Sequence, residues 1–473
     1  MQKKKWTLRI SACICSVLIF TVQHAYAQVV FNITSSNITN ASPLSVDNAT
    51  TVYTAPVIAL APTISVKSAA GILARTGGGT GLSPGLFTVK IIGTGGSLLN
   101  VLSTSPTITL SNSAQNIYTS VLSAIATGAI NLRYATLSNV NATTWVAGSY
   151  TTDLTFAASA VALPPGTLNP TVGSLTVNVA SFIAVTPTPT SIALTVNSLN
   201  YYRTTTLSGT YGIATTTTVP YGIRLKNNAS AFSYSNGYSG ATDPGAATTR
   251  LSGQMTSPTT GSTITGGTSF TNLATGLSVP TNNLQTNVIT LSITPANLKA
   301  AFLQKGTYTT SVNFEIFDAQ TTPTATTQTL SCPLTITVSD LSELKVNQTD
   351  INLNYTGSSD YVNGIFADAA GHLTLSNTNP FDVYVKASSS TLSNGTNTIP
   401  VGVITIAPMP AYAGSFTTVS LSATGQKILS GFVPAVDKAL NVRYSIPAAN
   451  SPQLLGKPAG TYNTTVTYSF VAP

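Results

Sequence analysis

The residues that could carry out chemistry in this chain are few and far apart. Beyond residue 27 the sequence holds one histidine, His372, and one cysteine, Cys332. Catalysis by a serine or cysteine nucleophile needs a histidine beside it, but His372 follows Gly371 at a predicted turn and is expected to be solvated. Cys332 lies at the start of a predicted strand, where a small buried apolar role is expected. A structural zinc site needs about four His or Cys ligands, so none is expected.

The carboxylates do not form a convincing catalytic pair either. Glycoside hydrolysis uses two facing carboxyl groups, and the candidates are Glu315 with Asp318 and Asp360 with Asp368. Glu315 alternates with apolar neighbours and is expected to face solvent, while Asp360 and Asp368 fit turns. The sequence therefore predicts a protein that is not an enzyme, that has no catalytic residues, and that binds no cofactor and no metal.

Residues 1–27 have the pattern of a secretory signal peptide. Lys3, Lys4, Lys5 and Arg9 precede an apolar run, and Ala25-Tyr26-Ala27 has the small-x-small cleavage pattern. Removing this segment lowers the formal charge from +8 to +4, because it takes four of the 20 basic residues and none of the 12 acidic ones. No basic cluster remains for nucleic acid, and no later apolar run is long enough to span a membrane. We expect an extracytoplasmic protein: secreted, periplasmic or on the outer cell surface.

A short signature recurs three times at domain-sized intervals. Copies of Gly-[Ser/Thr]-Tyr-x-Thr begin at Gly148, Gly306 and Gly460, and alternating apolar and polar residues come after each one. This alternation indicates a strand with one buried face. Because helix signals are scarce and Thr is abundant, the sequence predicts an all-β chain of three tandem Ig-like, Greek-key β-sandwich modules. Their expected bounds are 28–185, 186–340 and 341–473.

The signature itself suggests a structural role. A tyrosine that enters a strand and hydrogen-bonds back to the preceding loop forms the tyrosine corner of Greek-key sandwiches, and we expect this of Tyr150, Tyr308 and Tyr462. The preceding Gly148, Gly306 and Gly460 are expected to allow a tight turn or a close backbone approach.

The third copy of the signature differs from the other two in the sequence downstream of it. Alternating segments at 175–179 and 334–338 are expected to close the first two modules, whereas the chain shows no such segment after the third signature. Two interpretations stay open. Either another polypeptide adds a strand at that edge, for which residues 28–40 are a candidate donor, or residues 461–471 complete the sheet themselves.

The third module carries a resemblance to a known group of proteins. Residues 360–364, 373–376, 381–387 and 458–462 resemble bacterial spore-coat-U-like and fimbrial-subunit-like secreted β-sandwich proteins of the Bacteroidetes type. Spore-coat-U-like modules commonly carry cysteines, and here none can pair. The resemblance implies a secreted or cell-surface structural or adhesive protein. It would be a fimbria-like subunit or tip component that associates with other subunits or with itself.

A second function is also consistent with the sequence. Exposed aromatic residues often bind sugars, and Tyr201, Tyr202, Tyr234 and Tyr238 could form such a face in an extracytoplasmic carbohydrate- or surface-binding protein. The alternation of Phe232 with Tyr234 is equally compatible with packing inside the sandwich.

Overall fold

The computed structural model describes residues 27–55, 59–96, 99–101, 104–124, 126–137, 140–161, 166–320, 325–409 and 416–471. Apart from Ala27, the predicted signal peptide lies outside these residues. Strands dominate them and helices are short, so the all-β class is confirmed. None of the helices in these ranges has the length and apolarity needed to cross a membrane. The chain divides into two compact units, Met1–Ser181 and Phe182–Pro473, and the count of three modules stays a prediction.

The N-terminal unit packs two large sheets face to face. Their strand orders are β1-β14-β12-β4-β9, with β5 on β12, and β13-β2-β11-β6-β8; a small sheet has the order β3-β10-β7. The bounds are β1 (Ala27–Ile33), α1 (Ser35–Thr39), β2 (Ser45–Ala55), β3 (Ala59–Leu60), β4 (Thr63–Ser68), β5 (Ala74–Arg75), β6 (Phe87–Gly96), β7 (Leu99–Val101), β8 (Ile108–Thr109), β9 (Gln115–Thr119), β10 (Leu122–Ala124), β11 (Ala126–Thr136), β12 (Gly148–Ser159), β13 (Thr167–Asn169) and β14 (Val172–Val179). Alternate residues of β12 and β14 point into the core, where the rings of Phe31 and Phe87 lie 5.1 Å apart and join the two sheets.

The C-terminal unit begins with eleven strands that we call the central set. They are β15 (Ile183–Thr188), β16 (Ile192–Val196), β17 (Leu207–Thr217), β18 (Tyr221–Asn227), β19 (Ser233–Ser235), β20 (Ser252–Ser257), β21 (Ile264–Thr265), β22 (Thr271–Leu277), β23 (Leu284–Ile293), β24 (Gly306–Asp318) and β25 (Gln328–Val338), with α2 (Asn200–Arg203) and α3 (Pro295–Ala301). The sheets β15-β17-β23-β20-β21 and β16-β25-β24-β18-β22, with β19 on β24, face each other. Tyr211 and Phe314 stack between them at 5.0 Å.

The remaining strands form what we call the C-terminal set. They are β26 (Ser342–Val346), β27 (Gly364–Asn377), β28 (Phe381–Ala387), β29 (Thr391–Ser393), β30 (Thr398–Pro400), β31 (Thr405–Pro408), β32 (Val419–Ser420), β33 (Gln426–Phe432), β34 (Ala435–Pro447) and β35 (Val466–Val471), with α4 (Ser358–Asn363). The sheets have the orders β26-β27-β34-β31-β32, β33-β28-β35 and β29-β30. One apolar core, which includes Leu373, Val383, Ile406, Ile428 and Val442, lies between them.

Polar contacts join the central and C-terminal sets into one unit. The Arg203 guanidinium contacts the carboxylates of Glu343 at 2.6 Å and Asp437 at 2.7 Å. The Lys305 amide donates to the carbonyl oxygen of Thr378 at 2.9 Å. Charged hydrogen bonds that converge on a half-buried arginine are geometrically restrictive, so they fix how the two sets meet.

Candidate functional site

The three signatures share one local geometry. Gly148, Gly306 and Gly460 have φ values of +147°, +148° and +150°, a region that residues with a Cβ rarely adopt. In each copy the tyrosine hydroxyl donates to the carbonyl oxygen four residues earlier: Tyr150 to Val146 at 2.7 Å, Tyr308 to Gln304 at 2.9 Å and Tyr462 to Pro458 at 2.9 Å. This is the contact that a tyrosine corner requires.

A side chain from a neighbouring strand covers the glycine in the central set. The Tyr234 hydroxyl donates to the Lys305 carbonyl oxygen at 2.6 Å, and a Cβ on Gly306 would lie 2.5 Å from a carbon of the Tyr234 ring. Arg75 occupies the same place in the N-terminal unit, where its Nη2 donates to the Ala147 carbonyl at 2.5 Å. A Cβ on Gly306 would also lie 2.9 Å from the Ser235 carbonyl oxygen, so contact as well as φ requires glycine there, whereas the contact of Gly148 is with the flexible end of Arg75.

The third signature lacks this cover. Among the residues that the structure describes, a Cβ on Gly460 would meet only the Asn394 side chain, at 3.8 Å. The strand also starts late: β24 begins at Gly306 itself, whereas β35 begins at Val466, six residues after Gly460. The second and third copies therefore share the signature motif, but more residues of the second copy belong to a strand.

Burial separates the copies in the same way. The side chains of Tyr308, Val312 and Phe314 in β24 are 0% exposed. Their counterparts Tyr462, Val466 and Tyr468 are only half-buried against the core. The inward face of the third signature strand is incompletely covered.

The cause lies at the second edge of the strand. In the complete copies a closing strand pairs antiparallel with the signature strand, β14 with β12 and β25 with β24. The strand β35 pairs with β28 on one side, and no strand of the described ranges runs along its other side. Residues 466–471 thus join the sheet as an edge strand, with unpaired backbone groups along one side.

A second segment of the C-terminal set also lacks the neighbour that its counterparts have. Closing strands β14 and β25 also pair in parallel with β1 and β16. The corresponding segment of the C-terminal set is 351–355, which comes after β26 at the spacing with which β16 comes after β15. Its residues Ile351, Leu353 and Tyr355 pack against the core while those between them are exposed, but it pairs with no strand in the described part of the chain. Within the described residues, β35 and residues 351–355 thus both lack the closing strand that their counterparts pair with, and we call this feature the open edge.

The N-terminal segment is not a free donor for the open edge. Residues 27–33 form β1, and Val29, Phe31 and Ile33 are each 1% exposed inside the N-terminal unit. Using residues 28–40 as a donor would require removal of these side chains from their own core. The expectation that this segment is available for exchange is wrong.

His372 is buried, not solvated. It is 2% exposed, and its Nε2 lies 2.9 Å from the Tyr444 hydroxyl, which in turn hydrogen-bonds the hydroxyl of Tyr468 in β35. The register of β27 shifts between Ala369 and Leu373, and such an irregularity can turn a side chain inward. Burial lowers the pKa of His372, and its Nδ1 has no hydrogen-bond partner among the described residues.

Cys332 and the candidate acidic residues make contacts that are typical of structural residues. Cys332 is 0% exposed in β25, and burial raises the pKa of its thiol to about 11. Glu315 accepts from the Arg224 guanidinium at 2.7 Å, and Asp368 accepts from Arg443 at 2.5 Å. Asp318 accepts from two backbone amides of the loop after β24, and Asp360 from two backbone amides at the start of α4. Within the described ranges no three His, Cys, Asp or Glu side chains are grouped as metal ligands.

The four candidate sugar-binding tyrosines do not form one exposed face. Tyr202 is 3% exposed and its hydroxyl donates to the Phe302 carbonyl at 2.8 Å, so the expectation of exposure is wrong for this residue. The Tyr234 ring packs against Tyr308 at 5.0 Å and covers the signature glycine. Tyr201 and Tyr238 are half-buried. Phe232 is 2% exposed, so the alternation of this segment places Phe232 and Tyr234 on its inward side.

Comparisons with known proteins return only remote likenesses. No protein family and no curated protein matches the sequence. The chain is similar to CfaE, the adhesive subunit of CFA/I fimbria of enterotoxigenic Escherichia coli, at 9% identity over 66% of this chain and 98% of that one, with a TM-score of 0.28. It is also similar to the CooA pilin subunit of enterotoxigenic E. coli (13% identity, 33% and 99% coverage, TM-score 0.22) and to the CsuC–CsuE chaperone–tip adhesion subunit complex of Acinetobacter baumannii (13%, 61% and 99%, 0.28). All three are fimbrial, but likenesses this weak carry no argument about this chain.

Proposed function

We propose that this chain is an extracytoplasmic structural or adhesive protein of a fimbria-like assembly, held in place by a strand from another polypeptide that enters the open edge. The observation that carries the proposal is the contrast between β24, flanked on both sides, and β35, flanked on one. Main-chain pairing at an exposed sheet edge is a recurring mode of protein association.

The position of β1 favours a terminal place in such an assembly. The strand β1 is already paired with β14 and its inward side chains are buried. The described chain therefore offers a place for a strand without offering its own first strand in return. A subunit that accepts and does not donate fits a tip component better than a repeating subunit.

A photo-crosslinker at Thr467 tests the proposal. Thr467 faces outward from β35 at the open edge, and Asn313 is the matched position of β24, opposite Ser331 of its own closing strand. In the native host, a benzophenone side chain at 467 should crosslink to an extended segment of another cell-surface polypeptide, identified by peptide mass spectrometry. The same group at 313 should crosslink only within the chain.

Labelling of intact cells with an antibody to this chain supplies the second arm. Surface labelling is expected. Intracellular protein, or a crosslink at 467 that stays within the chain, would contradict the proposal.

A further inference from the structure

The two closing strands of this chain present the same inward residues in the same order. In β14 they are Gly173, Leu175, Val177 and Val179; in β25 they are Cys332, Leu334, Ile336 and Val338. All eight are buried. Both strands therefore read small-x-Leu-x-[Val/Ile]-x-Val.

The register against the signature strand is also the same in both copies. The final Val lies opposite the signature glycine, the β-branched residue lies opposite the signature tyrosine, and the Leu lies opposite the signature threonine. In the N-terminal unit the pairs are Gly148–Val179, Tyr150–Val177 and Thr152–Leu175. In the central set they are Gly306–Val338, Tyr308–Ile336 and Thr310–Leu334. The small residue lies opposite an apolar one, Gly173 opposite Leu154 and Cys332 opposite Val312. A small residue thus faces a larger one at the two ends of the pattern, where glycine lies opposite Val and the small residue of the closing strand lies opposite Leu154 or Val312.

The parallel neighbour repeats the pattern from the other side. Leu334 lies beside Ile192, Ile336 beside Leu194 and Val338 beside Val196. The open edge has the corresponding residues on both borders: Ile351, Leu353 and Tyr355 on one, and Gly460, Tyr462, Thr464 and Val466 on the other. Two segments that correspond in sequence position to the flanking strands of the complete copies, with Tyr355 in place of Ile33 and Val196, constrain the strand between them.

We propose that the strand entering the open edge carries the pattern small-x-Leu-x-[Val/Ile]-x-Val and runs antiparallel to β35 and parallel to residues 351–355. Its last Val lies opposite Gly460, its β-branched residue opposite Tyr462, its Leu opposite Thr464 and its small residue opposite Val466. This inference rests on the proposed function and adds the chemistry and register of the partner. Because side chains alternate with a period of two, a slip of one residue would expose every apolar group of the incoming strand.

Binding should also extend the sheet. Residues 460–465 of the free chain lie outside β35, whereas the corresponding residues 306–311 belong to β24, where the closing strand pairs with them. Backbone amides alternate between the two sides of a strand, and the Asn463 amide already donates to the Ser393 carbonyl oxygen at 2.9 Å on the closed side. Occupation of the open edge should therefore protect the amides of Tyr462 and Thr464 from hydrogen exchange. This local readout separates binding at the open edge from displacement of β14 or β25.

Synthetic peptides test the pattern on the mature chain, residues 28–473. The probes are a copy of residues 172–179, a copy of residues 331–338 with the cysteine replaced by alanine, a version of the first with Gly173 and Leu175 swapped, and a generic alternating Val-Thr peptide. The two copies should bind at least tenfold more tightly than the swapped and generic peptides, with exchange protection confined to 461–471. Placing Phe at the small position should weaken binding at least tenfold.

A size exchange checks the register directly. Thr464→Leu should weaken binding of the Leu-containing peptide at least fivefold, and replacing that Leu by Ala in the peptide should restore binding. Equal binding of matched and generic peptides at 461–471 would overturn the pattern and leave the acceptor proposal standing. Failure of every peptide to protect 461–471 would overturn both.

Discussion

The signature strands β24 and β35 carry the same motif in two different surroundings. Tyr308 and Tyr462 make the same hydrogen bond four residues back, and their glycines have φ values within 2° of one another. Yet Val312 is fully buried and Val466 is not. The local motif thus forms without its closing strand, while burial of the strand depends on that neighbour. Local geometry and sheet completion are separable in this fold.

The largest difference is expected at the signature glycine. Gly306→Ala should lower the free energy of unfolding by about 3 kcal/mol or more, because the strained φ is joined by overlap with the Tyr234 ring and the Ser235 carbonyl. Gly460→Ala should cost about 1 kcal/mol, from φ alone. Urea denaturation of the two variants measures both. Equal losses would mean that the cover over Gly306 does not constrain it.

A matched valine pair measures the missing burial. Val312→Ala should destabilise by about 2 kcal/mol, since it removes two buried methyl groups and leaves a cavity. Val466→Ala should cost less than about 1 kcal/mol in the free protein, because that side chain is already half-exposed. Adding a peptide that fills the open edge should raise the cost at 466 toward that at 312. If Val466→Ala lowers the free energy of unfolding by the same amount with and without the peptide, burial at position 466 does not depend on the missing strand.

The tyrosine hydroxyls give a smaller effect. Tyr308→Phe should cost about 1 kcal/mol, the usual net contribution of a buried hydrogen bond. Tyr462→Phe should be close to neutral, because its hydrogen bond is exposed and water can replace the lost partner. Thermal unfolding of both variants, with Tyr150→Phe as a second buried case, is the measurement. If Tyr308→Phe melts like the parent protein, the tyrosine corner contributes nothing to stability.

Mild acid should loosen the C-terminal set alone. The pKa of His372 is below its ordinary value in the folded protein, so the unfolded chain takes up more protons as pH falls below about 6.5. Stability is therefore full above neutral pH and declines between about pH 7 and 5, above the range in which carboxylates titrate. The central set contains no histidine, so hydrogen-exchange protection factors, which correct for the intrinsic pH dependence of exchange, should fall in β27, β34 and β35 and stay unchanged in β24.

The variant His372→Gln is the control for this effect. It removes the titrating group and should flatten the pH profile over that window, whatever its effect on overall stability. An unchanged slope in His372→Gln would assign the pH dependence to other groups.

Local contacts can be predicted from the sequence, and distant ones cannot. The hydrogen bond from a signature tyrosine to the carbonyl oxygen four residues earlier is one such local contact. The start of α3 at Pro295, with Thr294 as its N-cap, is another. The prediction for His372 is wrong because its partners Tyr444 and Tyr468 lie 72 and 96 positions later and a strand irregularity turns it inward. The alternation of Ile351, Leu353 and Tyr355 with asparagines indicates a strand-like segment, but its lack of a pairing partner cannot be read from the sequence, because pairing depends on distant parts of the chain.

The closing strand β25 belongs to the same chain as the strand that it covers, and this has a consequence for the open edge. Within one chain a strand rejoins its sheet at an effective concentration on the order of 1 mM, for which a binding free energy of about −4 kcal/mol suffices. A separate polypeptide at about 1 nM needs about −12 kcal/mol for half occupancy. The incoming strand must therefore supply about 8 kcal/mol more than an intrachain strand needs. Its three buried aliphatic side chains contribute about 1.5–3 kcal/mol each toward the total of about 12 kcal/mol, and main-chain pairing along the open edge must supply the rest.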